Sequence, residues 1–264
     1  ENVSVTLKSL GAELTSIKDA SGTEYLWQGN PEFWSGQAPV LFPIVGCLRN
    51  GTATIGDNKT CSFGRHGLAR RLEFDLVSSS DTSVTYSLKA NDKTKEQYPY
   101  DFELQMTYEL TEHGVKVSHT VINHDSVVMP YCVGGHPAFN CPVFENESFE
   151  DYIVEFEQPE NAACAQLTED GLINNADRVS VLENEAVIPV RHSLFYKDAL
   201  VFDALKSRKV ALKHKKTGHG ILVSFPDFDY LGVWSSANDG PFVALEPWSG
   251  TSTCSDEEDR KSVV

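Results

Sequence analysis

Residues 38–51, 64–70, 133–140 and 245–250 hold side chains whose types and spacing suit proton transfer and polar recognition. His136 follows Gly134-Gly135 and precedes Pro137. Glycine permits close backbone approach or positive φ, and a residue before proline is biased to extended backbone, so this imidazole is positioned rather than free. A histidine satisfied within a turn between strands would look the same. Glu246 ends the apolar run Phe242-Val243-Ala244-Leu245 and precedes Pro247-Trp248. A carboxylate there is partly desolvated, which raises its pKa and suits it to accept and return a proton. The alternative is a strand-end glutamate capped by local amides. Trp248 offers a flat face of the sort that packs on sugar C–H bonds. His66 lies between Arg65 and Gly67, with Arg70 four residues on. Cationic donors beside an imidazole suit recognition of a hydroxyl or phosphate, or form a plain ion-pair cluster. The first segment is apolar and ends in Arg49 and a turn.

Other chemistries lack their motifs. His113, His119, His124, His192, His214 and His219 sit in turns or alternating strands and read as structural or surface residues. No His-Glu-x-x-His set is present, so no metal is expected. Gly-x-Ser-x-Gly, the P-loop and the dinucleotide fingerprint are also missing, so no cofactor is expected. Cys47, Cys61, Cys132, Cys141, Cys164 and Cys254 are at least nine residues apart and form no Cys-x-x-Cys. They read as reduced and mostly buried, which suits a cytoplasmic protein. Asn2-Val3-Ser4 and Asn146-Glu147-Ser148 fit a glycosylation sequon, which short chance matches often do. With 22 basic and 38 acidic side chains the net charge is −16. That argues against nucleic acid or an anionic membrane face as partner, because phosphate neutralisation needs a cationic surface. No apolar run approaches the roughly eighteen residues needed to cross a bilayer, and no basic-then-apolar leader pattern opens the sequence.

The elements that must position these groups are strands. Residues 3–7, 83–89, 102–110 and 115–121 alternate apolar and polar side chains, and Thr111-Glu112-His113-Gly114 turns the last two into a hairpin. Further strands are expected at 151–157, 200–202, 210–214, 220–225, 231–234 and 242–245. Asp92 to Tyr98 can make one or two helical turns before Pro99, and the polar run from Asp256 can begin another. Many short strands separated by turn residues predict an all-β sandwich or barrel. No Gly/Ser/Pro-rich linker divides the chain, so residues 1–264 read as a single domain. Residues 145–185 hold twelve acidic side chains and one basic one, Arg178, and read as a solvated face or insertion. Lys206, Arg208, Lys209, Lys213, Lys215 and Lys216 read as a lysine-protected sheet edge.

Six blocks in order resemble the aldose 1-epimerase (galactose mutarotase-like) family, in particular its LacX-type branch. They are Gly11-Ala12-Glu13-Leu14-Thr15-Ser16-Ile17, Tyr25-Leu26-Trp27, Pro39-Val40-Leu41-Phe42-Pro43-Ile44-Val45-Gly46, Arg65-His66-Gly67-Leu68-Ala69-Arg70, Gly135-His136-Pro137-Ala138-Phe139-Asn140 and Leu245-Glu246-Pro247-Trp248. The resemblance implies a large antiparallel β-sandwich, the supersandwich, with a sugar as small-molecule partner and no cofactor. It implies cofactor-free interconversion of the α and β anomers of a free hexose. It assigns Glu246 as general base, His136 as general acid, and His66, Arg70, Arg49 and Asp198 as substrate-binding residues, with Trp248 beside them. The branch often has a basic residue where this chain has Cys47, and relatives continue with a further strand beyond Gly250. In anomer exchange a base takes the C1 hydroxyl proton while an acid protonates the ring oxygen, the aldehyde rotates, and the ring closes with the roles reversed. One carboxylate and one imidazole facing each other across a sugar suffice. The alternatives are a hexose-6-phosphate mutarotase, with Arg49, Arg65 or Arg70 on the phosphate, and a non-catalytic carbohydrate-binding or sensing protein.

Overall fold

Period-two patterning dominates the computed structural model, which describes residues 3–56 and 58–256. β1 (Val3–Leu7) and β2 (Leu14–Asp19) form a hairpin; β3 (Val40–Leu41) follows. β4 (Thr52–Ile55) and β5 (Lys59–Ser62) make a second hairpin. β6 (Asp75–Ser79), β7 (Ser83–Lys89), β8 (Phe102–Leu110) and β9 (Val115–Asn123) form an antiparallel meander in chain order. β10 (Gly134–Gly135) and β11 (Ala138–Asn140) are short, whereas β12 (Tyr152–Leu167) and β13 (Ile173–Pro189) make a long hairpin. β14 (Leu200–Phe202), β15 (Lys209–His214), β16 (Gly220–Ser224), β17 (Tyr230–Trp234) and β18 (Phe242–Trp248) complete the set. One sheet runs β14-β17-β18-β10-β3 with β11 also on β18, and another runs β13-β12-β15-β16. Among the described residues every pairing between two of these strands is antiparallel, as expected for sheets joined by tight turns.

The expected hairpin from residue 102 to 121 is β8–β9, closed by Thr111 N–H donating to the Gly114 carbonyl. The expected helical turns are α1 (Asp92–Gln97), where the Asn91 side chain caps Lys93 and Thr94 N–H and Thr94 reciprocates. The helical start expected at Asp256 runs into residues outside those described. All six cysteines are free, and four of them are buried.

The lysine-rich segment departs from its expected place. β15 is an inner strand between β12 and β16, not an edge. Its cations meet the acidic run: Lys213 pairs with Glu155, and Lys209 with Glu157 at 3.4 Å. The two charge runs that looked separate in sequence are cross-strand neighbours, with β12 supplying the acids.

One large hydrophobic cluster links the meander (Phe102, Leu104, Met106, Tyr108), the long hairpin (Val154, Phe156, Ile188) and the sheet around β18 (Leu231, Val233, Val243, Leu245). Strand alternation splits β18 between two faces. Val243 and Leu245 enter the large cluster. Phe242, Ala244, Glu246 and Trp248 therefore face the other side, where Phe242 and Ala244 join Trp27 and Ala138. Register opposes Gly232 to Glu246 on the neighbouring β17. A glycine there makes room for the Trp248 indole, whose ring a Cβ would meet at 2.7 Å.

Candidate active site

On that second face lies a cavity of about 250 Å³, lined by Trp34, Arg65, His66, Arg70, His136, Asp198, Trp234, Glu246 and Trp248 among others. His136 sits between β10 and β11, its N–H donating to the Pro39 carbonyl at 3.1 Å. Its Nε2 is 3.2 Å from Glu246 Oε2. Both residues are buried, His136 to 7% and Glu246 to 1% exposure. The sequence reading had the two groups opposed across a sugar; in the structure they lie side by side. Neighbouring groups can serve a hemiacetal, because its hydroxyl oxygen and ring oxygen share one carbon.

Burial sets the proton state of the pair. It pushes the Glu246 carboxyl well above its ordinary range, with Asp198 adding to the effect, while Arg65 and the Trp248 indole oppose it. The Trp248 N–H lies near that carboxylate without reaching hydrogen-bond geometry. Burial likewise pulls His136 down to about 3, and Arg70 and Arg65 add to this. Burial thus favours the neutral form of each group, the carboxylic acid and the imidazole. The 3.2 Å approach is close enough for exchange of one proton, although Glu246 Oε2 makes no hydrogen bond in this structure, and that exchange would yield carboxylate and imidazolium, a base and an acid.

His66 is held by a reciprocal pair of bonds with Gly46. Its N–H donates to the Gly46 carbonyl at 2.7 Å, and its Nδ1 accepts from Gly46 N–H at 3.0 Å. Nδ1 as acceptor leaves Nε2 carrying the proton, so the neutral ring is a hydrogen-bond donor. Burial first, then His136 and the two arginines, keeps its pKa well below the ordinary value. The chain reaches this position through a left-handed turn, with φ of 67° at His66 and 75° at Gly67. A Cβ at Gly67 would stand 2.3 Å from the Phe42 carbonyl oxygen, so only glycine fits.

Asp198 also occupies the left-handed region, at φ 91°, and its Oδ1 accepts from Ala199 N–H at 2.8 Å. Arg70, in a short 3-10 turn over residues 69–71, reaches the cavity, and among the described residues its guanidinium makes no hydrogen bond or ion pair. The structure thus brings Glu246, His136, His66, Arg70, Asp198 and Trp248 to one cavity. Arg49 is not among its walls; its guanidinium donates to the Cys254 carbonyl at 2.7 Å. Trp34 and Trp234 were not anticipated. Trp34 stacks on His136 with ring centroids 4.8 Å apart, and Trp234 meets the same imidazole edge-on at 5.3 Å. The adjacent aromatics Phe33-Trp34 in a polar loop were the available signal.

Histidines away from the cavity also gather. Glu147, His214 and His219 approach at metal-binding spacing. Their lone pairs are engaged. His214 Nδ1 accepts from Lys216 and Thr217 N–H, and the Glu147 carboxylate takes the Tyr152 hydroxyl and lies 3.2 Å from His219 Nε2. His214 Nε2 therefore keeps its proton and is no ligand.

Fold and cavity together define a β-sandwich of the galactose mutarotase-like class. A galactose mutarotase related enzyme from Lactobacillus acidophilus superposes with a TM-score of 0.92 at 32% identity, covering 98% of this chain and 87% of that one. A galactose mutarotase-like protein from Lactobacillus casei gives 0.88 at 30% identity, covering 100% and 88%. The family model for aldose 1-epimerase matches residues 1–261, and the chain belongs to that family. It is 44% identical to the plasmid-encoded protein LacX of Lactococcus lactis subsp. lactis over an alignment of 274 positions, which covers all of this chain and 92% of LacX. Among the described residues no helix is long and apolar enough to cross a membrane.

Proposed function

We propose that the protein is a mutarotase that interconverts the α and β anomers of a free hexose. The observation that carries this reading is the 3.2 Å approach of His136 Nε2 to Glu246 Oε2 inside a cavity of sugar size. Glu246 takes the proton of the C1 hydroxyl and His136 Nε2 gives one to the ring oxygen, so the hemiacetal C–O bond breaks and an aldehyde forms. Rotation about the bond next to C1 presents the other carbonyl face. The ring hydroxyl attacks it, its proton returns to His136, and Glu246 reprotonates the anomeric oxygen. The net proton count on the pair is the same before and after. Each group contributes roughly 10²–10⁴-fold. His66 donates to a sugar hydroxyl, Asp198 accepts from one, and Arg70 donates to another. Trp248, Trp34 and Trp234 supply apolar walls.

Arg70 supports a second reading. A guanidinium that makes no ion pair among the described residues, in a protein of net charge −16, suits an anionic group on the substrate, as in a hexose 6-phosphate. Anomer exchange followed by NMR or polarimetry on glucose, galactose and their 6-phosphates separates the two. Acceleration of the free sugars supports the first reading, and acceleration of the phosphates alone supports the second. Tight sugar binding with no acceleration of any of them overturns both.

A further inference from the structure

Arg65 lines the cavity from a half-exposed position, and contacts from three sides fix its guanidinium. Its Nε donates to Cys47 Sγ at 3.3 Å. Its Nη1 donates to Asp198 Oδ2 at 3.4 Å. Its other terminal nitrogen, Nη2, packs over Gly171 in the turn between β12 and β13; a Cβ there would lie 2.4 Å from Nη2 and 3.1 Å from Cys47 Sγ. Gly171 itself has a φ of 75°. Three separate parts of the chain thus shape one seat for this guanidinium.

The seat has a consequence for recognition. Asp198 spends Oδ1 on Ala199 N–H, and its Oδ2 contact to Arg65 is long for a hydrogen bond. A carboxylate and a guanidinium held at that separation present an acceptor and donors next to each other, which match two neighbouring hydroxyls of a sugar. Arg65 and Asp198 line the same cavity as Glu246 and His136. A sugar with its anomeric carbon at Glu246 and His136 has its remaining hydroxyls free to meet this rim.

We propose that Arg65 is a specificity-determining residue, which with Asp198 grips a pair of hydroxyls remote from the anomeric carbon. The proposal rests on the mutarotase reading. A site built to hydrogen-bond a hydroxyl rejects an analogue that lacks it, because its own polar groups are left unpaired. Removing Arg65 removes that rejection.

The test is anomer exchange on glucose, galactose and a set of monodeoxy hexoses by wild type, Arg65→Ala, Arg65→Lys and Gly171→Ala. Wild type is expected to lose about tenfold or more in kcat/KM on at least one deoxy sugar. Arg65→Ala is expected to raise KM for the parent sugar by a similar factor with kcat held within about threefold, and to lose discrimination against that deoxy sugar. Arg65→Lys keeps the charge without the fork and is expected to fall between. Gly171→Ala displaces Nη2 and reproduces part of the effect, with circular dichroism reporting whether the turn still folds. Equal losses on every sugar, with wild-type discrimination intact in Arg65→Ala, overturn the proposal. Failure of the wild type to accelerate any sugar sinks the mutarotase reading and the proposal with it, an outcome distinct from the former.

Discussion

The indole of Trp34 lies on the imidazole of His136, with centroids 4.8 Å apart and planes tilted by 26°. The indole keeps water off one face of the ring and helps hold its pKa down at about 3. Gly36 makes room for it, since a Cβ there would meet the Trp34 ring at 2.4 Å. Trp34→Ala exposes the imidazole, so its pKa rises toward the ordinary histidine value. Charging His136 while Glu246 is still protonated removes the acceptor for the moving proton. The acid limb of the kcat/KM profile is therefore expected to climb by about one pH unit or more in Trp34→Ala. Trp34→Phe keeps the stack and is expected to keep the limb in place. A pH-rate profile of the three proteins checks this.

Glu246 pulls function and stability in opposite directions. Glu246→Gln removes the proton acceptor and is expected to lower kcat by about 10²–10⁴-fold. The folded-state pKa of the carboxyl is raised, so between the unfolded value and that raised value the folded protein holds the extra proton. Wild-type stability therefore falls as pH rises through this window, and Glu246→Gln, which cannot ionise, escapes the loss. Melting curves at several pH values are expected to show the variant gaining on wild type as pH increases. A difference in melting temperature that stays constant with pH would show that burial does not perturb this carboxyl.

His136 contributes the opposite slope. Its folded pKa is depressed, so its contribution is complete above the unfolded histidine value and is lost as pH falls toward about 3. The two windows overlap between the unfolded carboxyl and unfolded histidine values, where the opposed slopes offset each other, so the combined contribution is greatest there.

The strand that carries Glu246 was legible because the carboxylate stands at the end of the continuous apolar run Phe242-Val243-Ala244-Leu245, all of it buried in β18. The turn around His136 was legible from Gly134, Gly135 and Pro137. The second half of the long hairpin was not. β13 is mostly exposed, and four register shifts against β12 break the period-two pattern, so an acidic, irregular stretch looked like an insertion. The lysines of β15 looked like an edge because the partner acids lie more than fifty residues away in sequence. Arg65 and Cys47 were visible as residues but not as a pair, since only the tertiary fold brings a guanidinium from one turn over a thiol from another.

His66 separates a binding role from a structural one. His66→Ala deletes the acceptor for Gly46 N–H and leaves a buried donor unpaired, a loss of about 1–3 kcal/mol. His66→Asn supplies an amide oxygen near the Nδ1 position and tolerates the left-handed backbone at φ 67°. The shorter amide does not reach as far into the cavity as Nε2. The Asn variant is expected to melt close to wild type yet show a KM raised about tenfold, while the Ala variant loses on both counts. Thermal denaturation alongside steady-state kinetics distinguishes them, and equal melting points for the two variants would remove the structural half of the argument.

Arg49 is the residue for which the family resemblance and the geometry part company. The resemblance assigns it to the sugar, but its guanidinium holds the Cys254 carbonyl, and through it the segment that returns past Ile173 after β18. Ile173 in turn lines the cavity. Arg49→Ala is therefore expected to leave kcat/KM within about twofold and to lower stability by about 1.5–3 kcal/mol, the range for a hydrogen bond from a charged donor. Arg70→Ala, from the cavity wall, is expected to do the reverse, raising KM about tenfold with little change in melting temperature. Steady-state kinetics and melting curves on the two variants decide the matter: a KM defect in Arg49→Ala as large as that in Arg70→Ala would return Arg49 to the sugar.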